Sequence, residues 1–217
     1  MRMEMVAESQ FKRPEDVNKQ YQIILALIRR VQHLSMTLDV PNRIESLSRD
    51  NLQQVRLDRT EISEIIKEVT ETSVPLMGSC RGPSLHVHAP RWTGHVIADR
   101  RMLSLALFEL IENAIKYSYA ETKIEIETHF TKQGYFALSV RSQGLDLPPI
   151  DRARLFEFGF RGSNAAASSV GSGIGLTMVA GVMRAHNGSV RFDEGDGDHI
   201  TFTLEFPLVD GSPEPIE

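Results

Sequence analysis

"FELIENAIKYS", residues 108–118, sets a carboxylate and an amide four positions apart in a segment otherwise spaced like a buried helix. Glu109 and Asn113 therefore stack on one face, with Lys116 and Tyr117 one turn further on. A neutral amide is an odd core residue, because burying it demands partners. Asn113 offers a hard oxygen of the kind Mg²⁺ takes, and Lys116 a charge suited to phosphate. An exposed face held by a Glu112–Lys116 pair accounts for those two residues. It does not account for Asn113 so close to Lys116 and Tyr117.

A second signal lies downstream in "SSVGSGIGLTMV", residues 168–179. Gly171, Gly173 and Gly175 alternate and then give way to an apolar helix that runs to about His186. The dinucleotide pattern G-x-G-x-x-G has a different spacing and follows a strand, whereas "SNAAASS" reads as loop. A Walker P-loop needs Lys and then Ser or Thr after its last glycine, and Gly175 is followed by Leu176. What remains is a set of bare backbone N–H groups at a helix N-terminus, an anion site whether or not it is used. On these residues alone, phosphate binding and a plain turn stay equally open.

The bulk numbers narrow the class of protein without naming its chemistry. The 217 residues carry a net charge of −5, with 41% apolar and 24% charged residues, ordinary for a globular chain. The acidic balance argues against nucleic acid as the main partner. No apolar run approaches the roughly 20 residues of a membrane span, and the N-terminus has no signal-like segment. One cysteine, Cys80, excludes an internal disulfide framework and fits a reducing cytosol. The expected setting is cytoplasmic, without membrane contact.

Two parts follow one another along the chain. Val17, Ile24, Leu27, Val31, Leu34 and Leu38 form a narrow heptad-like stripe that Pro41 interrupts, the pattern of a helix pairing through one seam. "RTEISEIIKEVTE" predicts a shorter amphipathic helix with Thr60 as its N-cap. From residue 84 the period changes. "SLHVHAP" and "GHVIAD" alternate as strands, with "RWTG" as a turn between them, and a strong helix spans Arg100 to Ser118. "KIEIETHF" with "YFALSV", and "SVRFDEG" with "HITFTLEFP", read as two hairpins. "PPIDRARLFEF" reads as a Pro-started helix between them. Hairpins in place of strand–helix alternation predict an α+β fold: a two-layer sandwich of a mixed, mostly antiparallel sheet with helices on one face, preceded by an N-terminal helix.

Three stretches in register give the reading its focus. "ELIENAIKYS" resembles the N box of the ATP-binding domain of sensor histidine kinases, in the superfamily that includes gyrase and heat-shock ATPases. "LFEFGFRG" (Leu155–Gly162) resembles the phenylalanine box with its trailing arginine, and "GSGIGL" (Gly171–Leu176) the second glycine box. "ITFTLEFP" resembles the closing strand of that domain. The resemblance implies an ATP-binding domain over 60–208, a partial helical dimerisation region over 1–55 and a tail over 209–217. It implies that Asn113 ligates Mg²⁺, that Lys116 and Arg161 neutralise phosphate, and that Tyr117 flanks the nucleotide. Gly171, Ser172, Gly173, Ile174, Gly175 and Leu176 would belong to a lid over the triphosphate, and Thr201 would support the floor under the base. Glu109 stands where gyrase-like ATPases have their general base, so Glu109 and Lys116 are the catalytic candidates.

The pattern breaks in two places. The family's D-x-G-x-G box, whose aspartate reads the adenine amino group, aligns with "RSQGLDLPP". Ser142 replaces the carboxylate, Asp146 replaces the second glycine, and Gly144 alone is retained. A neutral acceptor is weaker than a charged one, which implies weakened or altered base recognition. The second break is the phosphoacceptor. His33 is the one helical candidate, but it lacks the acidic residue that follows such a histidine and faces solvent on the seam's register. The other histidines, His86, His88, His95, His129, His186 and His199, read as ordinary residues of strands and helix ends. The function implied is the catalytic domain of a two-component sensor histidine kinase, passing the γ-phosphoryl group of ATP to a histidine on another segment. Its implied partners are that phosphoacceptor segment, a response-regulator receiver domain, and a second copy bound through the N-terminal helix. A scaffold that docks a response regulator without catalysis, and a serine kinase on the same fold, are the alternatives.

Overall fold

The computed structural model describes residues 55–77, 82–88, 95–131, 134–163, 173–196 and 198–207. The N-terminal seam with His33, Cys80, Gly171, Ser172 and the tail fall outside the described residues. Helix α2, Arg100–Tyr117, stands at the centre of the described part. It follows strands β1 (Asp58–Glu61), β2 (Ser84–Val87) and β3 (His95–Ala98) and helix α1 (Ile62–Ser73). Its start is fixed by Asp99, whose carboxylate accepts from the N–H groups of Arg101 at 3.0 Å and Met102 at 3.2 Å. Two of the donors that every helix leaves open are thereby satisfied. Leu103, Leu107, Leu110 and Ile111 recur at helical spacing and are fully buried. The helix ends one residue before the predicted Ser118, which turns to extended backbone.

Against α2 lies a five-stranded sheet in the order β2, β4 (Lys123–Phe130), β5 (Tyr135–Gln143), β7 (His199–Pro207), β6 (Ser189–Glu194). The β2–β4 pair is parallel and the other three are antiparallel. Alternation assigns the faces. Ile124 and Ile126, then Phe136, Leu138 and Val140, then Phe202, Leu204 and Phe206 are buried in one core with α1, α2 and helix α4 (Gly175–Ala185). The opposite face carries Glu125, Glu127, Arg141 and Thr201. This is the α+β layer arrangement that the hairpin pattern implied.

Three places depend on partners that local sequence does not show. First, the strands expected in "SLHVHAP" and "GHVIAD" both form, and β3 pairs antiparallel with β1 in a separate ribbon. Second, Thr60 caps no helix. It sits buried in β1, and its hydroxyl donates to the Ala98 carbonyl at 2.9 Å. Glu61 holds the N-cap position of α1 without a side-chain cap bond. The alternating segment His95–Ala98 offers Thr60 a strand partner, and cross-strand pairing outweighs local capping preference. Third, "PPIDRARLFEF" contains a single helical turn, α3 (Pro149–Arg152). Beyond it the chain advances in i→i+3 bonds, Arg154 N–H to Asp151 at 3.0 Å and Glu157 N–H to Arg154 at 2.9 Å. The Asp151 carboxylate draws Ser163 back, accepting from its N–H at 2.8 Å and its hydroxyl at 2.7 Å. These two bonds hold its carboxyl below the usual aspartate value.

Helices α2 and α4 run antiparallel, and each end of their contact is held by a specific residue. At one end Gly175 meets Glu109. At the other, His186 accepts from the Asp99 N–H through Nε2 at 2.8 Å, while its Nδ1 lies 2.7 Å from the Val182 carbonyl. The proton therefore resides on Nδ1. His186 is 4% exposed, so it is a structural residue of the core and not an ordinary one at a helix end.

Candidate functional site

Three close approaches, each permitted by a glycine, assemble the sequence-predicted residues. A Cβ built on Gly175 would fall inside the Glu109 carboxylate. Only glycine at the first position of α4 lets that carboxylate reach the positive end of the helix. Glu109 is buried, and on the same stripe of α2 Asn113 is half-buried and Lys116 exposed. The stripe thus runs from a carboxylate at the α4 N-terminus, through an amide, to an ammonium at the surface.

The second approach joins β5 to the end of α2. A Cβ on Gly144 would lie 2.8 Å from the Tyr117 carbonyl carbon and 2.9 Å from Ser118 Cα. The chain uses that room: Leu145 donates to the Tyr117 carbonyl at 3.1 Å, and Gly144 donates to the Asp198 carbonyl at 3.1 Å. Ser142, two residues earlier, is 3% exposed and shares the core face with Val140.

The third approach joins the phenylalanine segment to the glycine stretch. Gly173 has φ of +70°, and a Cβ there would lie 2.7 Å from the Phe160 carbonyl oxygen. Ile174, half-buried, holds the N-cap position of α4 without a side-chain cap bond. Leu176 is partly buried against the core and anchors the first turn of the helix. Arg161 is half-buried one residue beyond Phe160, whose ring carries the Arg154 guanidinium at 4.6 Å.

Thr201 is not brought to this site. It pairs with Arg141, and both lie on the face opposite Ser142. The β7 residue across from Ser142 is Ile200, which packs against the core. A shift of one residue along a strand reverses the face, so Thr201 and Ser142 do not share one. Ile200, which the sequence patterns do not single out, is the β7 residue that register sets beside Ser142. Among the described residues no group of three His, Cys, Asp or Glu is arranged to hold a metal, and no helix is long and apolar enough to cross a membrane.

Comparison with known proteins gives the arrangement a family. Residues 98–210 match the family of histidine kinase-, DNA gyrase B- and HSP90-like ATPases. The chain is 34% identical over 115 residues to the sensor-like histidine kinase SenX3 of Mycobacterium tuberculosis, covering 52% of this chain and 28% of that protein. It is 29% identical over 184 residues to the signal transduction histidine-protein kinase/phosphatase MprB of Mycobacterium leprae, covering 82% and 35%. The matched region is thus well under half the length of these relatives. Among solved structures, a mycobacterial sensor histidine kinase MprB superposes with a TM-score of 0.60 at 25% identity, over 69% of this chain and 97% of that one. Full-length ShkA in complex with AMPPNP superposes at 0.64 with 22% identity, over 91% and 40%, a likeness of fold. The chain belongs to the histidine kinase-, DNA gyrase B- and HSP90-like ATPases, and residues 98–210 form its ATP-binding domain.

Proposed function

We propose that the domain binds Mg²⁺·ATP between the polar stripe of α2, the end of β5 and the N-terminus of α4, and passes the γ-phosphoryl group to a histidine on another segment or chain. The observation that carries this reading is the Glu109–Gly175 approach, which sets a carboxylate, the Asn113 amide and a helix N-terminus side by side. The residues suit a magnesium-bound triphosphate. Mg²⁺ takes one or two protein oxygens and completes its shell with phosphate and water, so Asn113 suffices without an acidic cage. The α4 N-terminus with Lys116 and Arg161 supplies positive charge where phosphate oxygens would lie. Gly171 and Ser172 would extend that lid, Tyr117 would flank the nucleotide, and Ser142 would face the base.

Catalysis in this reaction class is chiefly positioning and charge neutralisation. The imidazole nitrogen forms a bond to the γ-phosphorus as the bond to the bridging oxygen breaks and ADP departs. Glu109 would orient the attacking imidazole and take its proton. The phosphorylated histidine then serves a response-regulator receiver domain. Acid-labile, alkali-stable label from γ-labelled ATP on a phosphoacceptor helix supplied in trans is the expected result. A folded protein that binds no ATP contradicts the reading. ATP bound without any transfer supports the docking scaffold, which Ser142 and the exposed Asp146 favour.

A further inference from the structure

Resting on that nucleotide reading, we infer that the base pocket does not distinguish the 6-amino group of adenine from the 6-oxo group of hypoxanthine or guanine, so that 6-oxopurine nucleotides are accepted alongside ATP. The group that decides is Ser142. It is 3% exposed, it shares a face of β5 with Val140, and Gly144 presses the next turn of chain against Tyr117. Its neighbours in register are Ile124 on β4 and Ile200 on β7, which offer no hydrogen bond from their side chains. Among the described residues no hydrogen bond to the Ser142 hydroxyl is found, so its donor and its lone pairs are available to a bound base.

A hydroxyl rotates to donate or to accept, whereas a carboxylate only accepts. A carboxylate at this position therefore selects the amino group and opposes an oxo group, oxygen facing oxygen. Ser142 meets either one with a single hydrogen bond. Along the row of the sheet that holds Ser142, no carboxylate of the described residues is adjacent to it. The carboxylate in the same row of the sheet is Glu194 on β6, paired with Ile200. It lies two strand spacings from Ser142, roughly 10 Å, and Arg152 engages it at 2.6 Å. Large discrimination between close analogues comes from a buried polar group that one of them leaves unpaired, and here neither purine does.

The test is calorimetric titration of the unaltered chain with ADP, IDP and UDP in magnesium. Dissociation constants for ADP and IDP within about threefold of each other, with UDP at least about tenfold weaker, are the expected result. A preference for ADP over IDP of about tenfold or more overturns the inference while leaving nucleotide binding intact. UDP binding as tightly as ADP also overturns it, because the base would then not be read. Binding of none of the three by folded protein defeats the nucleotide reading itself. Ser142→Asp should raise the ADP:IDP preference by about tenfold; the comparison in the unaltered chain decides the matter even where that variant does not fold.

Discussion

Gly159 and Gly173 are fastened to each other: the Gly159 N–H donates to the Gly173 carbonyl at 3.1 Å, and their φ angles are +73° and +70°. The pair ties the phenylalanine segment to the entry of α4, so two stretches of sequence that would neighbour the triphosphate hold one another in place. A side chain at Gly159 meets open space, whereas one at Gly173 meets the Gly159 and Phe160 backbone.

Gly173→Ala should therefore do more damage than Gly159→Ala. Both pay about 1–2 kcal/mol for a left-handed backbone, and Gly173→Ala adds a collision with main chain that cannot move aside. Thermal melts should order the two variants in that sense, with nucleotide affinity falling about tenfold or more for Gly173→Ala. Equal stability and affinity in the two variants would show that the contact does not hold the site.

Two residues further on, at the first position of α4, Gly175→Ala should lower stability although alanine is the better helix former, because its Cβ enters the Glu109 carboxylate. Adding Glu109→Ala should recover part of the loss, a coupling that a double-mutant cycle measures. Glu109→Gln by itself should leave ATP affinity within about threefold and slow phosphoryl transfer by about 10²-fold or more. Transfer at the original rate would remove Glu109 from the mechanism.

His186 gives stability a pH dependence of known sign. Burial pushes its pKa below the ordinary 6.5, against the opposing pull of the Val182 carbonyl and the Asp99 charge. The folded state thus holds the neutral form, and the unfolded state binds the proton first as pH falls. Its contribution is complete above pH 6.5 and is lost as pH falls from there through the folded-state value. Protonating Nε2 would also break the bond from the Asp99 N–H, which joins α4 to the start of α2. Melting temperatures of the unaltered protein should drop between pH 7 and pH 5 more steeply than those of His186→Gln. Parallel profiles would show that another group carries the dependence.

The N-terminal seam predicts self-association. A stripe as narrow as Val17, Ile24, Leu27, Val31, Leu34 and Leu38 covers one partner helix and not a broad core. Light scattering should find a dimer that Leu27→Asp with Leu34→Asp converts to a folded monomer. A protein already monomeric at tens of micromolar would contradict the seam.

The parts legible in the sequence were those written in long, regular periods. The helix over Arg100–Tyr117 showed its face through leucines three and four apart, and the strands of the two hairpins through strict alternation. What escaped depended on partners distant in the chain. Thr60 looks like a cap until Ala98 is beside it, and nothing local to β2 shows that β4 lies parallel to it. "PPIDRARLFEF" carries a helical pattern that the bonds from Ser163 to Asp151 override. That Glu109, Asn113 and Lys116 share one stripe of α2 was legible because one helix carries them. That Ile200 lies beside Ser142 was not, because which β7 residue faces Ser142 is set by register across the sheet.

The most direct test of the account is calorimetric titration with a non-hydrolysable ATP analogue, with and without Mg²⁺, of the unaltered protein and Asn113→Ala. Asn113 is half-buried on a polar stripe and fills no core position, so its loss should cost little stability. The account predicts magnesium-dependent binding by the unaltered protein, and loss of that dependence in Asn113→Ala with the melting temperature within a few degrees. Binding that is indifferent to magnesium in both proteins, or none by folded unaltered protein, would contradict it.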